Sequence, residues 1–272
     1  MQATLLVERL VGRESNVAER ARMFRELEQL DTPQFVFMGD MVSAPSGHEW
    51  RLVDGLLAAL REGGAEVAAA VGNHDIMFSR TRGLRALRER GMVPATGTWQ
   101  RIDSCGLRLL LIDTNPSVLK GEALHMQSAW FLRELAIADE DPNVAAVVVV
   151  GHHPPMTNAR LPHTAKAAIH PWCAAFEASK KGHIWASGHV HAYERLERRR
   201  KLYVVAGSAG GPRVGLRVGA AMRTPAVFQL PHPSPFLWLE LEVNKHALHM
   251  HARGFANLNA AVQTWDTVTR SL

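Results

Sequence analysis

Four short stretches carry the residues able to do chemistry: Gly39-Asp40, Gly72-Asn73-His74-Asp75, Gly151-His152-His153-Pro154-Pro155 and Gly188-His189-Val190-His191. Carboxylate, amide oxygen and imidazole together suit borderline divalent ions such as manganese, iron or zinc. No thiolate joins them, which argues against a structural zinc site. His189 and His191 stand two apart, so an extended backbone would put both on one face, ~7 Å apart along the chain. Two ions about 3.5–4 Å apart could each take one of them, with Asp40 bridging. In Asn73-His74-Asp75 the amide can bind a cation without adding charge. His74 can point past it toward a substrate, and Asp75 can hold the His74 ring and favour its protonated form. An imidazolium there would stabilise developing phosphorane charge or protonate a leaving oxygen.

Each stretch follows an apolar run that reads as a strand, and a strand end is where an open α/β sheet presents its ligands. The runs are Gln34–Met38, Val67–Val71, Ala145–Val150 and His183–Ser187. Helical periodicity marks Asn16–Leu30, Gly47–Glu62, Ser79–Arg90, Leu124–Ala138 and Thr164–Ser179. Thr98–Ile102 and Leu107–Ile112 read as a hairpin, the second run ending in Asp113-Thr114-Asn115. Leu202–Ala206 is a further strand, and Phe236–Val243 with Ala247–Ala252 a C-terminal hairpin. Early strand–helix alternation followed by hairpins implies mixed sheet. Gly207–Gly219 reads as a loop over the site.

The 272 residues are 47% hydrophobic and carry a formal charge of +5. That is enough apolar material for one large domain, and the basic balance favours anionic ligands such as phosphate esters. Cys105 and Cys173 make no disulfide framework and read as buried thiols. No run approaches the ~18 apolar residues of a membrane helix. The start has no signal-peptide pattern, so the default expectation is a cytoplasmic chain with no membrane partner, open to change by an upstream segment. The cluster Arg195, Arg198, Arg199, Arg200 and Lys201 lacks interleaved aromatics and reads as a solvated turn, so nucleic acid is not an expected partner. Arg195 is set apart by its closeness to His191 and is a candidate contact to a substrate phosphate. His153 is kept outside the ligand set and assigned to the substrate pocket.

Taken together, the four stretches resemble the calcineurin-like metallophosphoesterase superfamily. Gly188-His189-Val190-His191-Ala192-Tyr193-Glu194-Arg195 and Gly207-Ser208-Ala209-Gly210-Gly211-Pro212 are similar to its purple-acid-phosphatase-like branch, as are Gln127 and Trp130. The resemblance runs from about Phe35 to the C-terminus. It implies a four-layer α-β-β-α sandwich of two mixed sheets and a two-metal site. Asp40 would bridge the ions. Asn73, His152 and His189 would hold one and His191 the other. His74 would act as the substrate-side acid, oriented by Asp75. A metal-bound hydroxide would attack phosphorus in line, hydrolysing a small phosphate monoester or diester.

The departure is at the first motif, an Asp-x-His strand end that would share an ion with His191. No aspartate precedes Asp31. The nearest candidate, Glu8-Arg9-Leu10-Val11-Gly12, offers Leu10 where a ligand is needed, and Leu5, Leu6, Val7 and Leu10 also fit helical spacing. The chain is therefore expected to be one domain over residues 1–272, N-terminally incomplete or degenerate, with its first strand absent and one of two ions weakly held or missing. The competing expectation is a catalytically impaired or truncated family member that keeps one metal site and serves as a binding or scaffold protein. Substrate identity, choice of metal and oligomeric state are not legible.

Overall fold

A computed structural model describes residues 16–115, 119–160 and 170–272, the His170 side chain excepted. The readings of Thr4–Gly12 and of residues 164–169 fall outside them. In chain order the elements are α1 (Val17–Leu27), β1 (Gln34–Phe37), α2 (Gly47–Glu62), β2 (Glu66–Ala69), α3 (Arg80–Glu89), β3 (Gln100–Ser104), β4 (Leu107–Ile112) and α4 (Gly121–Glu140). Then follow β5 (Ala146–Gly151), α5 (His170–Ala178), β6 (Gly182–Ser187), β7 (Tyr193–Arg198), β8 (Lys201–Ala206), β9 (Ala226–Gln229), β10 (Phe236–Val243), β11 (Ala247–Phe255) and β12 (Gln263–Ser271).

A seven-stranded mixed sheet runs β3-β4-β5-β6-β8-β7-β9, with β4, β5, β6 and β8 parallel. Facing it are two smaller pieces, the parallel pair β1-β2 and the antiparallel β10-β11-β12. Side-chain alternation shows that these two pieces form one layer. Val36, Met38, Leu237, Leu239 and Leu241 pack against the large sheet through Leu109, Val148, Ile184 and Val204. Phe35, Phe37, Phe236 and Trp238 turn the other way, onto α1, α2 and α3 through Met23, Leu56 and Leu87. The far face of the large sheet buries Leu110, Val147, Val149, Trp185 and Tyr203 against α4 and α5. The layers are thus α-β-β-α, as the resemblance implies. The second sheet differs from the expectation in being two hydrogen-bonded pieces among the described residues rather than one.

Two local expectations are corrected. Cys105 is exposed, not buried. It occupies the tight turn of the β3–β4 hairpin, where Cys105 and Gly106 both take positive φ. The basic stretch is a solvated turn only at Arg199-Arg200; the residues before it form β7, paired with β8 and β9.

Candidate metal centre

The C-terminal ends of β1, β2, β5 and β6 converge on one point, the Nε2 atom of His152. Asn73 Oδ1 lies 3.0 Å from it, Asp40 Oδ2 3.1 Å and His189 Nδ1 3.1 Å. The other ring nitrogen of His152 is committed to the Met38 carbonyl at 2.7 Å. Nδ1 must donate there, so a neutral His152 presents a bare lone pair at Nε2. A lone pair facing a carboxylate oxygen and an amide oxygen is a confrontation of acceptors, which only a positive charge relieves. Spacings near 3.0 Å are also those between neighbouring ligands on one ion with bonds of about 2.1 Å at right angles. The donor set therefore fits a divalent metal ion.

The electrostatics agree. Burial opposes charge on His152, but the Asp40 carboxylate outweighs it and raises the imidazole above its ordinary value. Burial pushes Asp40 up, yet the charge and hydrogen bond of His152, with His74 behind them, hold it down at about 2. A proton on His152 and a cation beside it satisfy the same demand.

Close backbone approach makes the convergence possible. A Cβ on Gly72 would stand 2.1 Å from Asp40 N and 2.2 Å from Asp40 Oδ1, so the β1 and β2 loops cross only if residue 72 is glycine. Asp40 and His189 both sit at positive φ, 55° and 61°. Non-glycine residues hold that conformation only where the surroundings enforce it. His189 and His191 were expected on an extended backbone, but this segment is more tightly folded. Val190 N donates to Gly188 O and Ala192 N to Val190 O, both at 2.7 Å. Val190 and Ala192 are buried in a small cluster with Val205 and Leu216.

His191 has its own support. Its Nδ1 donates to the Pro212 carbonyl at 2.7 Å, leaving Nε2 for a ligand. Burial lowers this imidazole, so it is held neutral, the form that binds metal. A Cβ on Gly211 would meet the His191 ring at 2.3 Å, and Asn16 at the start of α1 donates to Gly211 O at 2.9 Å. The Gly207–Gly219 loop is thus a cradle for His191, clamped by Asn16 just before α1. The expectation that the motif sharing an ion with His191 is absent or degenerate concerns the stretch before Asn16, outside the described residues.

His74 is brought to the same cluster, its backbone N donating to Asp40 Oδ1 at 2.8 Å. The expectation that Asp75 orients its ring is corrected. His74 Nδ1 donates instead to the Ser43 carbonyl at 2.8 Å. Ser43 is fixed in turn by Glu49, which accepts from its N–H, while the Ser46 hydroxyl caps the first turn of α2 through Glu49 N. The Asp75 carboxylate is fully buried and accepts from the backbone N–H groups of Gly72, Asp40 and Met41 at 2.8, 3.0 and 2.8 Å. It staples the two loops together. Burial and the Asp40 charge push it up to about 6.

Arg195 is also corrected as a substrate contact. Its guanidinium forms a two-pronged ion pair with Asp266 at 2.8 and 3.1 Å, and Tyr193 Oη donates to the same carboxylate. The arginine ties β7 to β12 and does not join the cluster. His153 does join it. One ligand atom from each of His152, His153 and His189 lies within 4.8 Å of the others. Sequence reasoning missed Ser43, since nothing marks a serine that acts through its carbonyl. It also assigned no role to Asn115, whose side chain ties the end of β4 to Val71 O at 2.8 Å.

The sequence model described as calcineurin-like phosphoesterase matches residues 13–193. No curated protein matches the chain. Among solved structures, a purple acid phosphatase from yellow lupin seeds (Lupinus luteus) is similar with TM-score 0.70 and 16% identity, covering 95% of this chain and 50% of that one. This chain therefore spans half the length of the lupin protein. A dimetal phosphatase from Danio rerio gives TM-score 0.58 and 14% identity over 93% and 88%. GAP50, described as the anchor in the inner membrane complex of Plasmodium, gives 0.60 and 12% over 92% and 84%. At these identities the three structures show the fold. Among the described residues no helix is long and apolar enough to cross a membrane.

Proposed function

This chain belongs to the calcineurin-like phosphoesterase family, and from that premise we propose that it is a metal-dependent hydrolase of phosphate monoesters or diesters, acting on a small phosphorylated substrate at the His152 cluster. The observation that carries the reading is the ring of Asp40, Asn73 and His189 ligand atoms about His152 Nε2. Asp40, Asn73, His152 and His189 would hold one divalent ion and His191 a second, with Asp40 between them. When bound, such ions supply Lewis-acid polarisation of the phosphoryl oxygens and make a water acidic enough to attack at neutral pH.

The chain's own residues do the rest. Ser43 fixes the tautomer of His74 with the proton on Nδ1, so Nε2 is the nitrogen offered to substrate. In its protonated form it stabilises charge on the departing oxygen and delivers the proton there. Asp75 keeps the Asp40 and Asn73 loops in register while that happens. His74→Ala is expected to lower kcat on phenyl phosphates by about 10²–10⁴-fold with metal content unchanged. Wild-type turnover in that variant would remove His74 from the mechanism. One ion or none per wild-type chain, with no turnover, would instead favour a binding protein that keeps the fold.

A further inference from the structure

His153 directly follows His152, and neighbouring residues of an extended strand point to opposite faces. Here the chain leaves β5 at Gly151, and both rings turn to the same side. Their centroids lie 4.9 Å apart with planes at 87°, and the His153 ring is 4.2 Å from that of His189. His153 is 8% exposed. Thr114 grips it from behind, accepting from its backbone N–H at 2.8 Å, with Nδ1 3.4 Å from the same hydroxyl. The ring is therefore steadied on its Nδ1 side while a ring nitrogen lies within 4.8 Å of ligand atoms of His152 and His189, the arrangement expected when a second residue orients a metal-binding histidine.

We infer that His153 is a third imidazole ligand of the ion at His152, completing a His152–His153–His189 set alongside Asp40 and Asn73. The inference rests on the metal-centre reading above. Neighbouring nitrogens on one ion at about 2.1 Å stand roughly 3.0–3.4 Å apart. The present limit of 4.8 Å thus closes with a ring movement of about 1.5–2 Å at most. Three neutral imidazoles with a single carboxylate also select the ion: zinc or cobalt in preference to magnesium or calcium, which want oxygen.

The test is titration of chelator-treated full-length protein with cobalt(II) chloride, read by calorimetry and by the visible absorption of bound cobalt. The chains compared are wild type, His152→Ala, His153→Ala and the better space-filling His153→Gln, with metal-free thermal unfolding as a folding check. Both His153 variants are expected to weaken cobalt at least about tenfold and to shift the visible bands, and excess magnesium should not displace cobalt from wild type. Wild-type affinity and spectrum in both His153 variants, with binding lost in His152→Ala, would overturn this inference and leave the metal centre standing. Absence of cobalt binding by wild type would overturn both.

Discussion

At the scale of single residues the centre depends on atoms that are missing as much as on those present. Gly72 has Asp40 N and Oδ1 where a methyl group would go. Gly72→Ala must therefore push the β1 loop away from the β2 loop. Overpacking of this kind costs about 1–3 kcal/mol, and the displaced atom is the Asp40 carboxylate itself. The variant is expected to fold with a lower Tm and to lose at least about tenfold in affinity for a divalent ion. Unchanged affinity would contradict the crossing-loop account. The clustered residues Asp40, Asn73, His152 and His189, the proposed ligands, were legible in the sequence because their side chains carry the chemistry. Ser43 was not, because it acts through a carbonyl that every residue possesses. Asp75 was legible as a site residue but not in its role, since the same carboxylate serves a ring or three backbone N–H groups equally well.

At the scale of elements, charge placed beside buried groups sets how the strands respond to pH. His183 on β6 is partly buried near Lys201 of β8 and Arg270 of β12. Burial first, then those two cations, push its imidazole down to about 4. An unfolded histidine titrates near 6.5, so the unfolded chain gains this proton first. The contribution of the neutral imidazole to stability is complete above about pH 6.5 and is lost as pH falls through about 4. The urea midpoint of the wild type should therefore drop more between pH 7 and pH 5 than that of His183→Gln. Equal drops would remove His183 from the acid response. The strands carrying the site were legible because apolar runs mark strands buried on both faces. Strands β7, β9 and β12 were not, because polar and charged residues interrupt their apolar ones and their partners lie far along the chain. The Tyr193–Asp266–Arg195 network spans residues more than seventy apart, and no local pattern announces it.

At the scale of the whole molecule, the two sheets meet at their shared core, at the β7–β12 ion pairs and at the centre, so the site is also a joint between layers. β1 and β2 bring Asp40, Asn73 and His74 from one sheet, while β5 and β6 bring His152, His153, His189 and His191 from the other. The mixed sheet was legible because strand–helix alternation gives way to hairpins, whereas the layer order was legible only through the resemblance carried by the four stretches. The division of the second sheet among the described residues was not legible, because it depends on which strands pair across two hundred residues. An ion at the centre would bond both sheets at once, and this gives the most direct test. Anomalous diffraction from crystals grown with zinc should place an ion about 2.0–2.2 Å from His152 Nε2, with Asp40, Asn73 and His189 bonded to the same ion. Crystals grown with zinc that show no anomalous density there, and His152 hydrogen-bonded to Asp40 instead, would contradict the account.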